Sequence, residues 1–136
     1  MTTLVDTPIW SLAFRRKTAS DPLAKHLADL INRSEAAIIG IVRQELLSGI
    51  RDPAEFSKVR GRMRAFPDLP LTEDHHEQAA AFYNLCRSRG IQGSNTDFLI
   101  CAAADLYKLT IFTTDRDFEN FATCLPIRLF NSTRLS

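Results

Sequence analysis

Short apolar runs alternate along the chain with apolar positions at helical spacing. Residues 3–5 form a run that stops at Asp6, and the continuous run 36–41 is typical of a strand buried on both faces. Leu23, Leu27, Leu30 and Ile31 instead repeat at the spacing of one helix face. The first third of the chain therefore predicts a strand, a helix and a second strand.

Common capping residues mark the remaining helices. The pattern predicts helices from Thr7-Pro8 onward, with Thr7 as the N-cap, through Glu45 to near Gly49, from Pro53 to about Phe66, from Thr72 to about Arg89, from Ser94 to about Tyr107, and over 114–121. Three further strands are predicted at 69–71, 109–113 and 127–130. This alternation predicts one α/β domain over 1–136, a three-layer α/β/α fold with a mainly parallel central sheet.

Bulk properties exclude several classes of protein. The formal net charge is +1, from 17 Lys+Arg and 16 Asp+Glu, so the overall charge does not indicate a nucleic-acid binder. No apolar run is long enough for a membrane helix and no signal sequence is evident, so we expect a cytoplasmic protein. Cys86, Cys101 and Cys124 fit neither a disulfide framework nor a zinc site by their number and spacing, and we expect reduced, mostly buried thiols.

Four carboxylates are predicted at one edge of the sheet. Asp6 follows the first strand, Asp115 follows the strand at 109–113, Glu45 lies early in the helix after 36–41, and Asp97 lies in the first turn of its helix. In parallel sheets the functional crevice lies beyond the carboxyl ends of the strands. Four acids brought together suppress one another's ionisation, and a hard cation with oxygen ligands, Mg²⁺ or Mn²⁺, relieves that repulsion. Such a cation can activate water against a phosphate.

Each acid taken alone is more often a helix cap than a metal ligand. Asp97 has the spacing of a capping box with Ser94, and Asp117 has the same spacing from Thr114. For Asp117 capping is the preferred interpretation. The joint placement of the four acids favours the functional interpretation.

Four strings in the chain resemble the PIN-domain ribonucleases, and most of all their VapC-type toxins. They are Leu4-Val5-Asp6-Thr7, Glu45-Leu46-Leu47-Ser48-Gly49, Asp97-Phe98-Leu99-Ile100-Cys101-Ala102-Ala103 and Thr113-Thr114-Asp115-Arg116-Asp117-Phe118, in the family's order and spacing. The resemblance implies an acidic tetrad of Asp6, Glu45, Asp97 and Asp115, supported by Thr113, and an Mg²⁺- or Mn²⁺-dependent endoribonuclease. It also implies a homodimer inhibited by a small antitoxin protein, and it makes transfer RNA a candidate target. Cys101 departs from the family's usual alanine without affecting the proposed chemistry.

Other residues add weaker predictions. Arg116 beside Asp115 is the best candidate for an RNA contact, followed by Arg15 and Arg16 of the first basic cluster. His75 and His76 are adjacent on a helix, cannot share a metal and are interpreted as surface residues. Trp10 and Phe14 form an i, i+4 pair suited to core or dimer packing.

Two rival functions stay open. A phosphotransfer domain on a similar sheet would need a second Asp where Pro8 stands, or a lysine in the turn at Asp115. A non-catalytic module could use the acidic pocket to bind a basic partner, although an intact tetrad argues against it. Metal-dependent cleavage of RNA by the pure protein distinguishes these functions.

Overall fold

A parallel β-sheet flanked by helices organises the described part of the chain. The computed structural model describes residues 2–14 and 21–130. In those residues the elements run in this order: β1 Thr3–Val5, α1 Thr7–Leu12, α2 Pro22–Asn32, β2 Ala36–Ala37, α3 Gly40–Ser48, α4 Pro53–Met63, α5 Glu73–Ser88, α6 Asn95–Tyr107, β3 Thr110–Phe112, α7 Asp117–Phe121 and β4 Arg128–Leu129. The predicted α/β fold with a parallel central sheet is confirmed.

The strand order β2-β1-β3-β4 places the first strand inside the sheet. β1 pairs with β2 on one side and β3 on the other, all in parallel, and β4 extends the sheet beyond β3. Leu4 and Val5 are fully buried, as are Ile111 and Phe112 on the neighbouring strand. Because every strand runs the same way, the residues that follow β1 and β3 meet at one edge of the sheet.

The helices bury the sheet with large side chains. Trp10 on α1 is 1% exposed, and its Nε1 donates to the Val5 carbonyl at 3.0 Å. Its ring packs against the ring of Phe66, with 5.1 Å between the ring centroids. Trp10 therefore belongs to the core of its own chain and offers no dimer contact. None of the helices in the described residues is long and apolar enough to cross a bilayer.

Two strand predictions were wrong. The run at 36–41 is a strand only at Ala36–Ala37, because Ile39 becomes the N-cap of α3 and Gly40 begins the helix. Periodicity cannot separate a buried strand from a buried helix start, since both are continuously apolar. The strand predicted at 69–71 is reduced to a single parallel bridge between Ile38 and Asp68.

Several capping predictions also need correction. Asp6, not Thr7, is the N-cap of α1, and α4 ends at Met63 rather than near Phe66. Asp117 does not form a capping box with Thr114, because α7 begins at Asp117 itself.

The prediction that His75 lies at the surface is wrong. His75 is buried, its Nδ1 accepts from the Thr72 N–H at 3.0 Å, and its ring stacks on Tyr107. His76 is exposed, as predicted.

Candidate metal centre

Asp6 lies where the central strand ends and α1 begins. Its backbone N–H donates to the Phe112 carbonyl at 2.9 Å, which continues the pairing of β1 with β3 by one residue. Its side chain is 7% exposed, whereas surface carboxylates are normally hydrated. The sheet thus fixes the position of a carboxylate that is largely removed from water.

Both oxygens of Asp6 accept hydrogen bonds from the chain. The Thr7 N–H donates to Oδ1 at 2.8 Å, and the Thr113 hydroxyl donates to Oδ2 at 2.8 Å. The Thr113 oxygen in turn accepts the Asp115 N–H at 3.0 Å. Because the Thr113 hydroxyl donates to the Asp6 carboxylate and accepts from the Asp115 N–H, its orientation is defined. Thr113 therefore connects the ends of β1 and β3 through side chains.

The other two acids reach the same region from helices. The Thr7 hydroxyl donates to Oε1 of Glu45 at 3.0 Å, so Thr7 contacts Glu45 through its side chain and Asp6 through its backbone N–H. Asp97 closes the capping box of α6, because its Oδ2 accepts the Ser94 N–H at 3.0 Å and its N–H donates to the Ser94 hydroxyl at 3.1 Å. The capping interpretation of Asp97 is confirmed, and it involves one oxygen of the carboxylate.

The charges of these acids act on one another. Burial raises the pKa of Asp6, and the negative charges of Asp97 and Glu45 raise it further. The hydrogen bonds from Thr113 and Thr7 favour the ionised form and lower that pKa in part. Among the described residues, no Lys, Arg or His forms an ion pair with Asp6, Glu45, Asp97 or Asp115. Within the part of the chain that the structure describes, the site is therefore a group of carboxylates with no side-chain cation paired to it.

The donor set fits a hard divalent cation. Carboxylates and hydroxyls supply only oxygen ligands, which Mg²⁺ and Mn²⁺ prefer. No three His, Cys, Asp or Glu side chains in the described ranges stand close enough together to enclose an ion. The side chains therefore match such a cation in the type of their donor atoms, and they do not enclose one in the described structure.

The remaining predicted residues are placed as follows. Arg116 is exposed beside Asp115, and the Asp117 N–H donates to Oδ1 of Asp115 at 2.9 Å. Asp117 thereby orients Asp115 through its backbone, while its own carboxylate is exposed. Arg15 and Arg16 lie outside the described residues. The roles of all these residues in binding or catalysis stay predictions.

Thr7 is the residue that sequence reasoning missed. The sequence predicts a helix cap at Thr7, whereas in the structure its hydroxyl donates to Glu45 and its N–H donates to Asp6. A threonine directly after a strand-end aspartate is a weak signal. The contact with Glu45, which lies 38 residues away, depends on the packing of α1 and α3.

Several solved structures share this fold, and one of them is a toxin–antitoxin complex from Klebsiella pneumoniae, which matches at a TM-score of 0.64 and 21% identity over 86% of this chain and 90% of that one. FitAcB from Neisseria gonorrhoeae matches at a TM-score of 0.80 and 21% identity, over 97% of this chain and 99% of that one. VapBC2 from Rickettsia felis, bound to a DNA fragment from its promoter, matches at a TM-score of 0.77 and 18% identity, over 96% of this chain and 98% of that one. VapBC-1 from nontypeable Haemophilus influenzae matches at a TM-score of 0.75 and 15% identity, over 98% of this chain and 99% of that one.

Because these structures are only 15–21% identical to this chain, the similarity shows a shared fold, and any statement on chemistry has to rest on the chain's own residues. Among curated protein sequences, none matches this chain. The family model of the PIN domain matches residues 3–123, which include every acid of the candidate centre. The chain therefore belongs to the PIN-domain family.

Proposed function

We propose that the chain is a divalent-metal-dependent endoribonuclease. The observation that carries the proposal is the buried carboxylate of Asp6, which faces the charges of Asp97 and Glu45 and has no cationic partner among the described residues. Membership in the PIN-domain family supports the nuclease part, because PIN domains are generally nucleases. RNA as the substrate and Mg²⁺ or Mn²⁺ as the cation are the finer parts of the proposal.

The cation would be held by Asp6, Glu45, Asp97 and Asp115. When bound, it supplies Lewis-acid chemistry, which lowers the pKa of water and neutralises charge on the scissile phosphate. The chain's own contribution is orientation. Thr7 and Thr113 each donate to one oxygen of Asp6, so the position of the carboxylate is already fixed. A ligand that is already positioned would lose less conformational entropy on binding a cation.

The surroundings of the acids also set how RNA would bind. Arg116 is exposed next to Asp115 and can contact a phosphate that flanks the cleaved bond. A net charge of only +1 gives little attraction for RNA far from the site. We therefore expect binding to depend on these local contacts and on the cation itself.

Cleavage of a labelled RNA by the purified protein tests the proposal. We expect cleavage at internal positions with Mg²⁺ or Mn²⁺ and none with a chelator in excess. The Asp97→Asn variant should lose orders of magnitude in rate, whereas Asp29→Asn, which changes an exposed acid on α2, should cleave normally. An RNA that stays intact with every metal, while the protein is folded, would leave the non-catalytic binding module as the better account.

We further propose that the chain is the toxin of a toxin–antitoxin pair. The solved structures with the same fold, FitAcB and the two VapBC complexes, support an antitoxin partner. A groove of about 370 Å³ next to the site fits such a partner: Phe14, Leu46 and Ile50 line it with apolar surface, and Glu45 and Glu55 add negative charge. An apolar segment that carries a basic residue matches this surface.

Expression in cells tests the toxin proposal. The wild-type chain should arrest growth when it is expressed alone, and Asp97→Asn should not, because cleavage is lost while the fold is kept. Normal growth with folded, metal-replete wild-type protein would contradict the proposal. Light scattering at micromolar concentration tests the proposed homodimer separately, and a monomer there would refute it.

A further inference from the structure

Two cysteines that are far apart in sequence meet inside the protein. Cys86 lies in the last turn of α5 and is fully buried, and Cys124 follows α7 and is half-buried. Their sulfur atoms are 3.1 Å apart. A disulfide requires about 2.05 Å, so the two sulfurs need to approach by only about 1 Å.

The two thiols differ in their exposure to solvent. Burial, together with the contact to Cys124, raises the pKa of Cys86 to about 12, so Cys86 is a neutral thiol at physiological pH. Cys124 is the more accessible of the two, and its Sγ contacts the Phe121 carbonyl at 3.7 Å. A reagent in solution therefore meets Cys124 first, with Cys86 directly behind it.

The third cysteine does not compete for this reaction. Cys101 is fully buried on α6, and burial raises the pKa of its thiol. Among the described residues no second thiol contacts Cys101, whereas the sulfurs of Cys86 and Cys124 lie 3.1 Å apart. Only the pair at Cys86 and Cys124 therefore has the geometry for thiol–disulfide exchange between two side chains of the described chain.

We propose that Cys86 and Cys124 form a reversible dithiol–disulfide site that is oxidised by a small-molecule disulfide of the glutathione class. The Cys124 sulfur, after loss of its proton, attacks the reagent and releases one small thiol, which leaves a mixed disulfide. The Cys86 sulfur then attacks Cys124, loses its proton and releases the second small thiol. Two protein thiols and one small disulfide become one protein disulfide and two small thiols.

The bond would enclose much of the candidate metal centre. The segment between Cys86 and Cys124 contains α6, β3 and α7, and with them Asp97, Thr113 and Asp115. Closing a loop of this length restricts the unfolded chain, so oxidation should stabilise the fold. The expected rise in Tm is about 7–14 °C.

The experiment is equilibration of the full chain with oxidised glutathione at neutral pH, followed by intact mass and thiol titration. The reduced protein has three free thiols, and we expect one to remain, with a mass loss of about 2 Da on a monomeric chain. Cys101→Ala should still form the bond and end with no free thiol. Cys124→Ser should keep its two thiols and show no rise in Tm.

Three results would overturn the proposal. One is wild-type protein that keeps all three thiols after equilibration. Another is a stable mass gain of one glutathionyl group, because it shows that Cys86 does not resolve the mixed disulfide. The third is a disulfide that joins two chains on a non-reducing gel. The wild-type measurement decides the matter even if one of the variants folds poorly.

Discussion

Replacing Asp6 with asparagine separates a metal ligand from a structural cap. The asparagine keeps the shape of the side chain, and its carbonyl can still accept the Thr7 N–H that Oδ1 accepts now. Its amide can donate to the Thr113 oxygen, which now donates to Oδ2. The substitution therefore removes one buried negative charge and preserves both contacts.

The structure gives the expected direction without metal. Burial and the charges of Asp97 and Glu45 oppose ionisation of Asp6, so losing the charge relieves an unfavourable interaction. An exchanged neutral hydrogen bond changes stability by about 0.5–1.5 kcal/mol at most. We expect the unfolding free energy of the metal-free variant to hold or rise.

The expected size of the metal effect follows from mass action. Mn²⁺ at about 100 times its Kd stabilises a folded protein by about 2.7 kcal/mol. With an unfolding entropy of about 2.1 cal/mol/K per residue over 136 residues, this raises the Tm of the wild type by about 9 °C. In Asp6→Asn the rise should fall to a small fraction of that value.

Thermal melts with and without Mn²⁺ give the answer, and Asp6→Ala and Asp29→Asn are the matched controls. Loss of a cap in Asp6→Ala costs about 0.5–2 kcal/mol whether or not metal is present. Asp29→Asn changes an exposed acid and should keep the full rise in Tm with Mn²⁺. If Asp6→Asn keeps that rise as well, Asp6 is not a ligand and the reasoning fails.

Three further predictions follow from the same contacts. Thr113→Val removes the hydroxyl that donates to Asp6 at 2.8 Å. We expect the rate of RNA cleavage to fall at least tenfold and the unfolding free energy to fall by about 1–3 kcal/mol. Thr113→Ser should restore both quantities in activity assays and thermal melts. Metal-free protein should lose stability as pH rises from 3.8 through the raised pKa of Asp6, since the folded state binds more protons there, and melts of Asp6→Asn should show a flatter slope. Gly93→Ala should cost about 1–3 kcal/mol in denaturant unfolding, because its Cβ would lie 2.6 Å from the Phe121 ring, whereas Gly61→Ala meets open space within α4 and should stabilise by about 0.5–1 kcal/mol. A metal-free stability that rises with pH, or equal effects at the two glycines, would contradict the corresponding prediction.

The position of the candidate centre could be predicted because it depends on topology. Asp6 follows an apolar run and Asp115 follows a β-branched and aromatic one, and parallel strands bring such residues to one edge. Asp97 lies in the first turn of a helix with a clear Ser94 cap. These signals are local in sequence and act through the direction of the strands alone.

The parts that could not be predicted depend on side-chain packing. The contact of Thr7 with Glu45 needs the packing of α1 on α3, and the contact of Cys86 with Cys124 needs that of α5 with the segment after α7. Neither pair has a sequence spacing that indicates proximity. The end of β2 at Ala37 was missed for another reason, since a buried apolar run is compatible with both strand and helix.

The most direct test of the central claim is the dependence of single-turnover RNA cleavage on the concentration of Mn²⁺. For the wild type, the cleavage rate should be zero with chelator and should saturate as the metal site fills. Asp97→Asn and Asp6→Asn should cleave orders of magnitude more slowly at saturating metal, while Asp29→Asn should follow the wild-type curve. Cleavage that continues undiminished in the presence of chelator, or in either site variant, would contradict the account.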